Sequence, residues 1–320
     1  MKELRDSLSF LFPKPSPVEL IRIGGNADGA YLIPNDVDGI CACFSPGVAN
    51  FKSFEDELLE RYGIRSHMVD FSSDEGHFRT PLRVGSQTFR KLWLDDSVTS
   101  NSITLDQWVK EEEPGSGDLL LQMDIEGAEY RNLMSVSKET LRRFRIIVVE
   151  LHGLAVQHSR GFLEETVVPL LLRLQEEFVC VHAHPNNVGG CERLDGVGLE
   201  VPRVLEVTLL RKDRFGCRTE PSMILPMIPH PLDISVNTPD CPPLVLSEEW
   251  CYGNIRCPTS RDKMRSLYTD YAGSCLELVF ERLDTLEREN LSLRRRLAEL
   301  SLFSRCAKYV RQLRESLRFN

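Results

Sequence analysis

The sequence predicts an α/β fold in which a parallel sheet carries helices on both faces. Three observations carry that reading. Between residues 21 and 215, apolar strand-like runs alternate with amphipathic helical stretches, the order that successive βαβ units leave in a chain. The length, 320 residues, suits one large α/β domain with appendages better than a single small domain. The apolar runs also end in carboxylates, imidazoles and amides, and open parallel sheets bind ligands at the carboxyl ends of their strands.

Residues 1–20 form a proline-containing lead-in, and the domain spans 21–215. Its strand candidates are ICACFS (40–45), SHMVDF (66–71), DLLLQMD (118–124), RIIVVELH (145–152), FVCVHAH (178–184) and VLEVTLLRK (204–212), each an apolar run of strand length. The helix candidates are FEDELLERYG (54–63), EYRNLMSVSKETLRRF (129–144) and FLEETVVPLLLRLQEEF (162–178). Pro169 should kink or split the last, because proline lacks the N–H of the helical ladder and clashes with the preceding turn. Residues 216–270, with PHPLD and TPDCPPLVL, read as an extended proline-rich arm packed on the domain.

The segment 274–320 predicts a helix of a different kind. Leu276, Val279, Leu283, Leu286, Asn290, Leu293, Leu297 and Leu300 alternate in steps of three and four. That is the a/d seam of a coiled coil with one polar a position, so a homo-oligomer is expected and Asn290 favours a parallel dimer. Further on, Arg305, Lys308, Arg311, Arg314 and Arg318 lie largely off an apolar stripe. A basic amphipathic helix of this kind can rest on an anionic membrane surface.

A net charge of -9 and a pI near 5.4 exclude nucleic acid as the main partner, because phosphate neutralisation needs a basic face. The first seventeen residues show neither a long apolar core nor a small-residue cleavage site, so no signal peptide is read. No apolar run nears the ~20 residues that span a bilayer. The ten cysteines are scattered, and Cys241, Cys251 and Cys257 lack the paired spacing of a zinc site. Reduced thiols in a cytoplasmic protein are expected.

At the strand ends the chemistry becomes specific. The first strand runs into SPGVANFKSFE, where Gly47 permits a tight turn and the following helix offers free N–H groups to a ligand. The second ends at Asp70, where a carboxylate can take ribose hydroxyls, although a lone Asp there also serves as a turn or cap residue. DIEGAE then places Asp124, Glu126 and Glu129 within six positions, and Glu129 reads as a carboxylate capping the next helix. The following strands end at Glu150 and His152, and at His182, His184, Asn186 and Asn187. Alternate strand residues share a face, so Glu150 and His152 point one way, as do His182 and His184. Burying such groups unpartnered costs roughly 1–3 kcal/mol each, so a site or a dense network is required.

These residues carry a resemblance. RIGGNADGAY (22–31), FSPGVANFKSFE (44–55), HMVDF (67–71), SITLDQW (102–108), LLLQMDIEGAEY (119–130), RIIVVELHG (145–153), HAHPNN (182–187) and VPRVLEVTLLRKD (201–213) make the chain from about 20 to 213 resemble the FkbM-type branch of class I, S-adenosylmethionine-dependent methyltransferases. The ITLDQW and DIEGAE pair is its most specific part. The resemblance implies a Rossmann-like sheet of seven strands, S-adenosyl-L-methionine as cofactor, and O-methylation, often of a sugar or polyketide hydroxyl. Carried over by position, it implies cofactor contacts from Asp28, Gly47, Val48, Glu55, Asp70 and Phe71, with Asp70 on the ribose and Asp124 near the transferred methyl. Two departures are visible: the usual DGGY reads DGAY at 28–31, and SPGVAN replaces a glycine-rich turn.

Methyl transfer from a sulfonium to a hydroxyl is an in-line displacement, so the site must align both groups and remove a proton. His152 is the candidate base beside Asp124, with Glu150 and His184 as orienters. A second version places Mg²⁺ or Mn²⁺ on Asp124, Glu150 and His152, lowering the hydroxyl's pKa directly. The competing class is a methyltransferase-like fold that has lost catalysis and serves as an oligomeric binding module, a reading favoured by the altered SPGVAN turn.

Overall fold

The computed structural model describes residues 2–154, 160–194, 198–216, 224, 226–234 and 237–250. The heptad segment, the basic helix and the arm beyond Trp250 lie outside the described residues. Seven strands make the central sheet: β1 (Ala42–Pro46), β2 (Arg65–Val69), β3 (Gln87–Arg90), β4 (Leu119–Met123), β5 (Phe144–His152), β6 (Phe178–Pro185) and β7 (Val204–Arg211). Their spatial order is β6-β7-β5-β4-β1-β2-β3. From β1 the chain steps outward through β2 and β3, then returns to lay β4 on the other side. The topological switch point therefore lies between β1 and β4.

The sheet is mixed rather than wholly parallel. Strands β1 to β5 pair in parallel, but β7 runs antiparallel between β5 and β6. The reason is the connection. Between β6 and β7 stands a small hairpin, Cys191–Leu194 with Leu199–Pro202, where a parallel return would need a crossover helix. Because β7 is reversed, its N-terminal residues reach the edge where the other strands end. The short edge strand β3, QTFR, has too little apolar pattern to be read from the sequence.

Burial on both faces explains the continuous apolar runs. In β4, Leu119 and Leu121 join the cluster holding Trp108, Leu133, Leu141, Leu170 and Leu174, while Leu120 joins Phe54, Leu58, Tyr31 and Ile33 on the opposite face. Helix α1 (Ser53–Tyr62) stops at Gly63, whose left-handed backbone lets its N–H bond the carbonyls of Leu58 and Leu59. Helix α2 (Leu105–Glu112) is capped by Thr104, which accepts from the Gln107 N–H.

The single helix expected over 129–144 is two, α3 (Glu129–Ser135) and α4 (Lys138–Arg143). Ser137 interrupts it as an N-cap accepting from the Thr140 N–H. The break expected at Pro169 is a wide π-type turn over Leu163–Val167. It leads into α5 (Val168–Glu177), where proline occupies the first turn and its missing N–H costs nothing.

The described part of the arm is tied to the domain. Ile224 and Ser16 exchange backbone hydrogen bonds, and Ile228, Leu246 and Trp250 are buried. The Trp250 ring lies 5.1 Å from that of Phe12, and its Nε1–H donates to the Glu200 carbonyl.

Candidate active site

The crevice at the switch point is built on Gly47. Its N–H donates to the Val69 carbonyl, and the Asp124 N–H donates to the Pro46 carbonyl. A Cβ at Gly47, where φ is +83°, would lie 1.7 Å from the Asp124 carbonyl oxygen, so no other residue permits this approach of the β1 and β4 ends. Two cavities open here. One of about 740 Å³ is lined by Asp70, Trp93, Leu94 and Glu126, among others. The second, of about 630 Å³, is lined by Asp28, Tyr31, Val48, Glu55, Gln122 and Asn237, among others. Gly47, Ala49 and Asp124 line both.

The expected cofactor residues therefore divide. Asp70 belongs to the first cavity, Asp28, Val48 and Glu55 to the second, and Gly47 to both. Phe71 lines neither; it stacks on Trp93, with ring centroids 5.1 Å apart, and Trp93 is the ring that lines the first cavity. Burial pushes the Glu55 carboxyl up to about 7 against a lowering hydrogen bond with Ser45.

Asp70 has work within the protein. Its carboxylate accepts from the Ala49 N–H (2.9 Å), the Ser72 N–H (2.8 Å) and the hydroxyls of Ser72 and Ser73 (2.6 Å each). Burial alone would raise its pKa, but these four bonds hold it below the ordinary carboxylate value. The carboxylate thus ties the β1 loop to the β2 end, and a ribose would have to take the place of the serine hydroxyls. The loop itself is held in left-handed backbone at Ala49 (φ 43°) and Asn50 (φ 63°), a conformation that glycine adopts with least cost.

His152 stands behind Asp124, and neither cavity wall includes it. Its Nδ1 lies 3.0 Å from Glu129 Oε1, and its Nε2 lies 3.4 Å from Glu126 and 3.8 Å from Asp124. The Tyr130 hydroxyl donates to its backbone carbonyl. Burial alone would lower the imidazole's pKa, but the hydrogen bond to Glu129 and the charges of Glu129, Asp124 and Glu126 raise it above the ordinary value. The Asp124 carboxyl is held well above the carboxylate range, chiefly by burial, with Glu126, Glu129 and Asp28 adding to the rise against His152.

Three expectations need correction. Glu129 is not a simple cap, since it is fully buried and its Oε1 accepts from the Ile125 and Gly127 N–H groups while meeting His152. It takes the orienting place expected of Glu150. Glu150 accepts from Asn186 at 2.8 Å and lies opposite Glu206 in register. Its carboxyl is held far above the ordinary range by burial and by Asp124, Glu206 and Asp28. His184 does not orient His152 either: it meets Asp233 at 3.7 Å and Asn237 at 3.2 Å, while its neighbour His182 lies 3.0 Å from Asp233. Among the described residues, the group whose ligand atoms lie close enough to share a cation is Asp124, Glu129 and His152, without Glu150.

A switch-point crevice with a strand-end carboxylate on each side belongs to an α/β domain of the nucleotide- and cofactor-binding class. Within it, residues 57–172, about a third of the chain, match the model of the methyltransferase FkbM domain. That match supports methyl transfer as the class of reaction and, with it, S-adenosylmethionine as the general donor. A crystal structure of the fibrillarin/Nop5p complex overlaps the chain with a TM-score of 0.33 at 13% identity, over 54% of this chain and 73% of that one. No curated protein matches the chain.

Proposed function

We propose that this chain is an S-adenosylmethionine-dependent O-methyltransferase acting on a hydroxyl of a sugar, a glycan or a related metabolite. One observation carries the reading: two cavities meet at Gly47, Ala49 and Asp124, so a donor in one and an acceptor in the other would face each other across one carboxylate. Asp70 and Trp93 would hold the adenosine of the donor, and the wall shared by Gly47, Ala49 and Asp124 would face its sulfonium. Displacement at the methyl needs no covalent help from the protein, so alignment across this wall is the main contribution.

Asp124 takes the hydroxyl proton. A carboxyl with a raised pKa is a stronger base than an ordinary one, and it is the titratable group that both cavities share. His152, turned by Glu129, stands behind it and in its neutral form is the next acceptor for that proton. A second reading rests on the closeness of Asp124, Glu129 and His152. The mixed oxygen and nitrogen donors suit Mn²⁺ better than Mg²⁺, which prefers an all-oxygen shell. Bound there, a divalent ion would lower the pKa of the acceptor hydroxyl.

The test is calorimetric titration with S-adenosylmethionine and S-adenosylhomocysteine, followed by transfer of labelled methyl to a sugar panel in EDTA and in Mn²⁺. Micromolar donor binding with label in a hydroxyl ether supports the proposal. Absence of binding by either nucleoside overturns it in favour of a non-catalytic binding module.

A further inference from the structure

We infer that Asp28 binds the acceptor rather than the donor, that Asn237 of the arm positions it, and that the second cavity takes an uncharged, polyhydroxylated molecule. This rests on the methyl-transfer reading above. Asp28 lines the second cavity and not the one containing Asp70 and Trp93. Asn237 comes from the arm, 209 residues further along the chain and outside the family match. Its Nδ2 donates to Glu206 Oε1 at 2.6 Å and to Asp28 Oδ1 at 3.2 Å, and its Oδ1 faces His184 Nε2 at 3.2 Å.

Both amide hydrogens of Asn237 are thereby used, so it offers no donor to a ligand. What it does is fix Asp28. Among the described residues, Asp28 Oδ2 takes no hydrogen bond, which leaves that oxygen as an acceptor at the cavity. The arm is itself anchored beside this point, since Asp233 sits against both His182 and His184, and Asn187 Oδ1 accepts from the N–H groups of Asn237 and Thr238.

The remaining wall selects the chemistry. Asp28, Glu55, Asp56 and Asp124 line the cavity with two cations, Lys52, which is already paired with Asp56, and Arg79, whose guanidinium lies over the Phe51 ring. A carboxylate only accepts hydrogen bonds, and a carboxyl that holds its proton, as the raised Glu55 and Asp124 can, also donates one, so hydroxyl groups satisfy both forms, while a phosphate or carboxylate has no hydrogen to offer Asp28. Phe51, which is 49% exposed, lines the same cavity under the Arg79 guanidinium and presents an apolar face of the kind a sugar ring covers.

The experiment is ligand-observed NMR on the full chain saturated with S-adenosylhomocysteine. The probes are glucose, rhamnose and N-acetylglucosamine, with glucose 1-phosphate and glucosamine as charged comparisons. At least one neutral sugar is expected to bind, with affinity at least tenfold weaker in Asp28→Asn and Asn237→Ala while affinity for S-adenosylhomocysteine stays within twofold. Asp28→Asn keeps the side-chain shape should Asn237→Ala fail to fold. Three results overturn the inference: loss of S-adenosylhomocysteine affinity in Asp28→Asn, binding of the charged sugars alone, or no neutral sugar bound by the loaded protein. Failure of S-adenosylhomocysteine itself to bind is a different result, and it removes the methyl-transfer reading as well.

Discussion

The arm's attachment should be pH-dependent, and the structure sets the direction and the size. His184 is buried beside Asp233, Glu206 and Asn237. Burial alone would lower its pKa, but these partners raise it to about 9. Asp233 is held far below the carboxylate range: burial would raise it, and the charges and hydrogen bonds of His182 and His184 outweigh that. A group whose folded pKa is raised adds stability that is complete below its unfolded value and is lost as pH climbs through the folded one. For His184 that window runs from about 6.5 to about 9, and the gap corresponds to about 3 kcal/mol. In a domain of this size such a loss lowers the melting temperature by roughly 6–12 °C.

The perturbation is Asp233→Asn, which keeps the shape and removes the charge. Thermal unfolding is followed at pH 6.5 and pH 9.5 in both proteins. The wild type is expected to lose at least the stated stability between the two values, and the variant to lose less by about that amount, because its His184 no longer has the paired carboxylate. His152, Glu55, Asp124 and Glu150, whose pKa values are also raised, titrate in both proteins, so their contributions cancel in the comparison. Equal pH dependence in wild type and variant would refute the reasoning.

The alkaline-rising limb of kcat should lie above the ordinary imidazole value, and Glu129→Gln should shift it downward, because that carboxylate helps hold the His152 proton; an unmoved limb would remove Glu129 from the mechanism. Gly47→Ala should cost about 3 kcal/mol or more through the clash with the Asp124 carbonyl, and calorimetry should show donor binding lost with it. Ala49→Gly should be neutral or stabilising by about 0.5–1 kcal/mol in urea unfolding, since it relieves left-handed backbone while keeping the N–H that bonds Asp70. Truncation after residue 272 should lower the oligomeric state measured by light scattering, and an unchanged mass would defeat the heptad reading.

Much of the site could be read from single positions. Asp70, Asp124 and His152 stand at the ends of apolar runs, and a strand end in an open sheet is a ligand-facing place whatever the neighbours are. Glu129 was legible as a residue but not in its role. A carboxylate in the first turn of a helix normally faces water and the helix dipole, and this one is buried because the β4 turn folds back on His152. Ser72, Ser73 and Trp93 gave no periodic or spacing signal, for they are loop and edge-strand residues brought in by Asp70 and by Phe71.

By itself the sequence determined the α/β alternation, the identity of the strand ends and the chemistry available there, because these follow from local periodicity and residue type. Tertiary structure alone decided which of those groups meet. The reversal of β7 brought Glu206 opposite Glu150, and the arm's return brought Asp233 to the two histidines and Asn237 to Asp28. Strand direction and long-range closure depend on how the whole sheet buries its faces. Local patterning records that a strand exists, but not which way it runs or what finally covers its end.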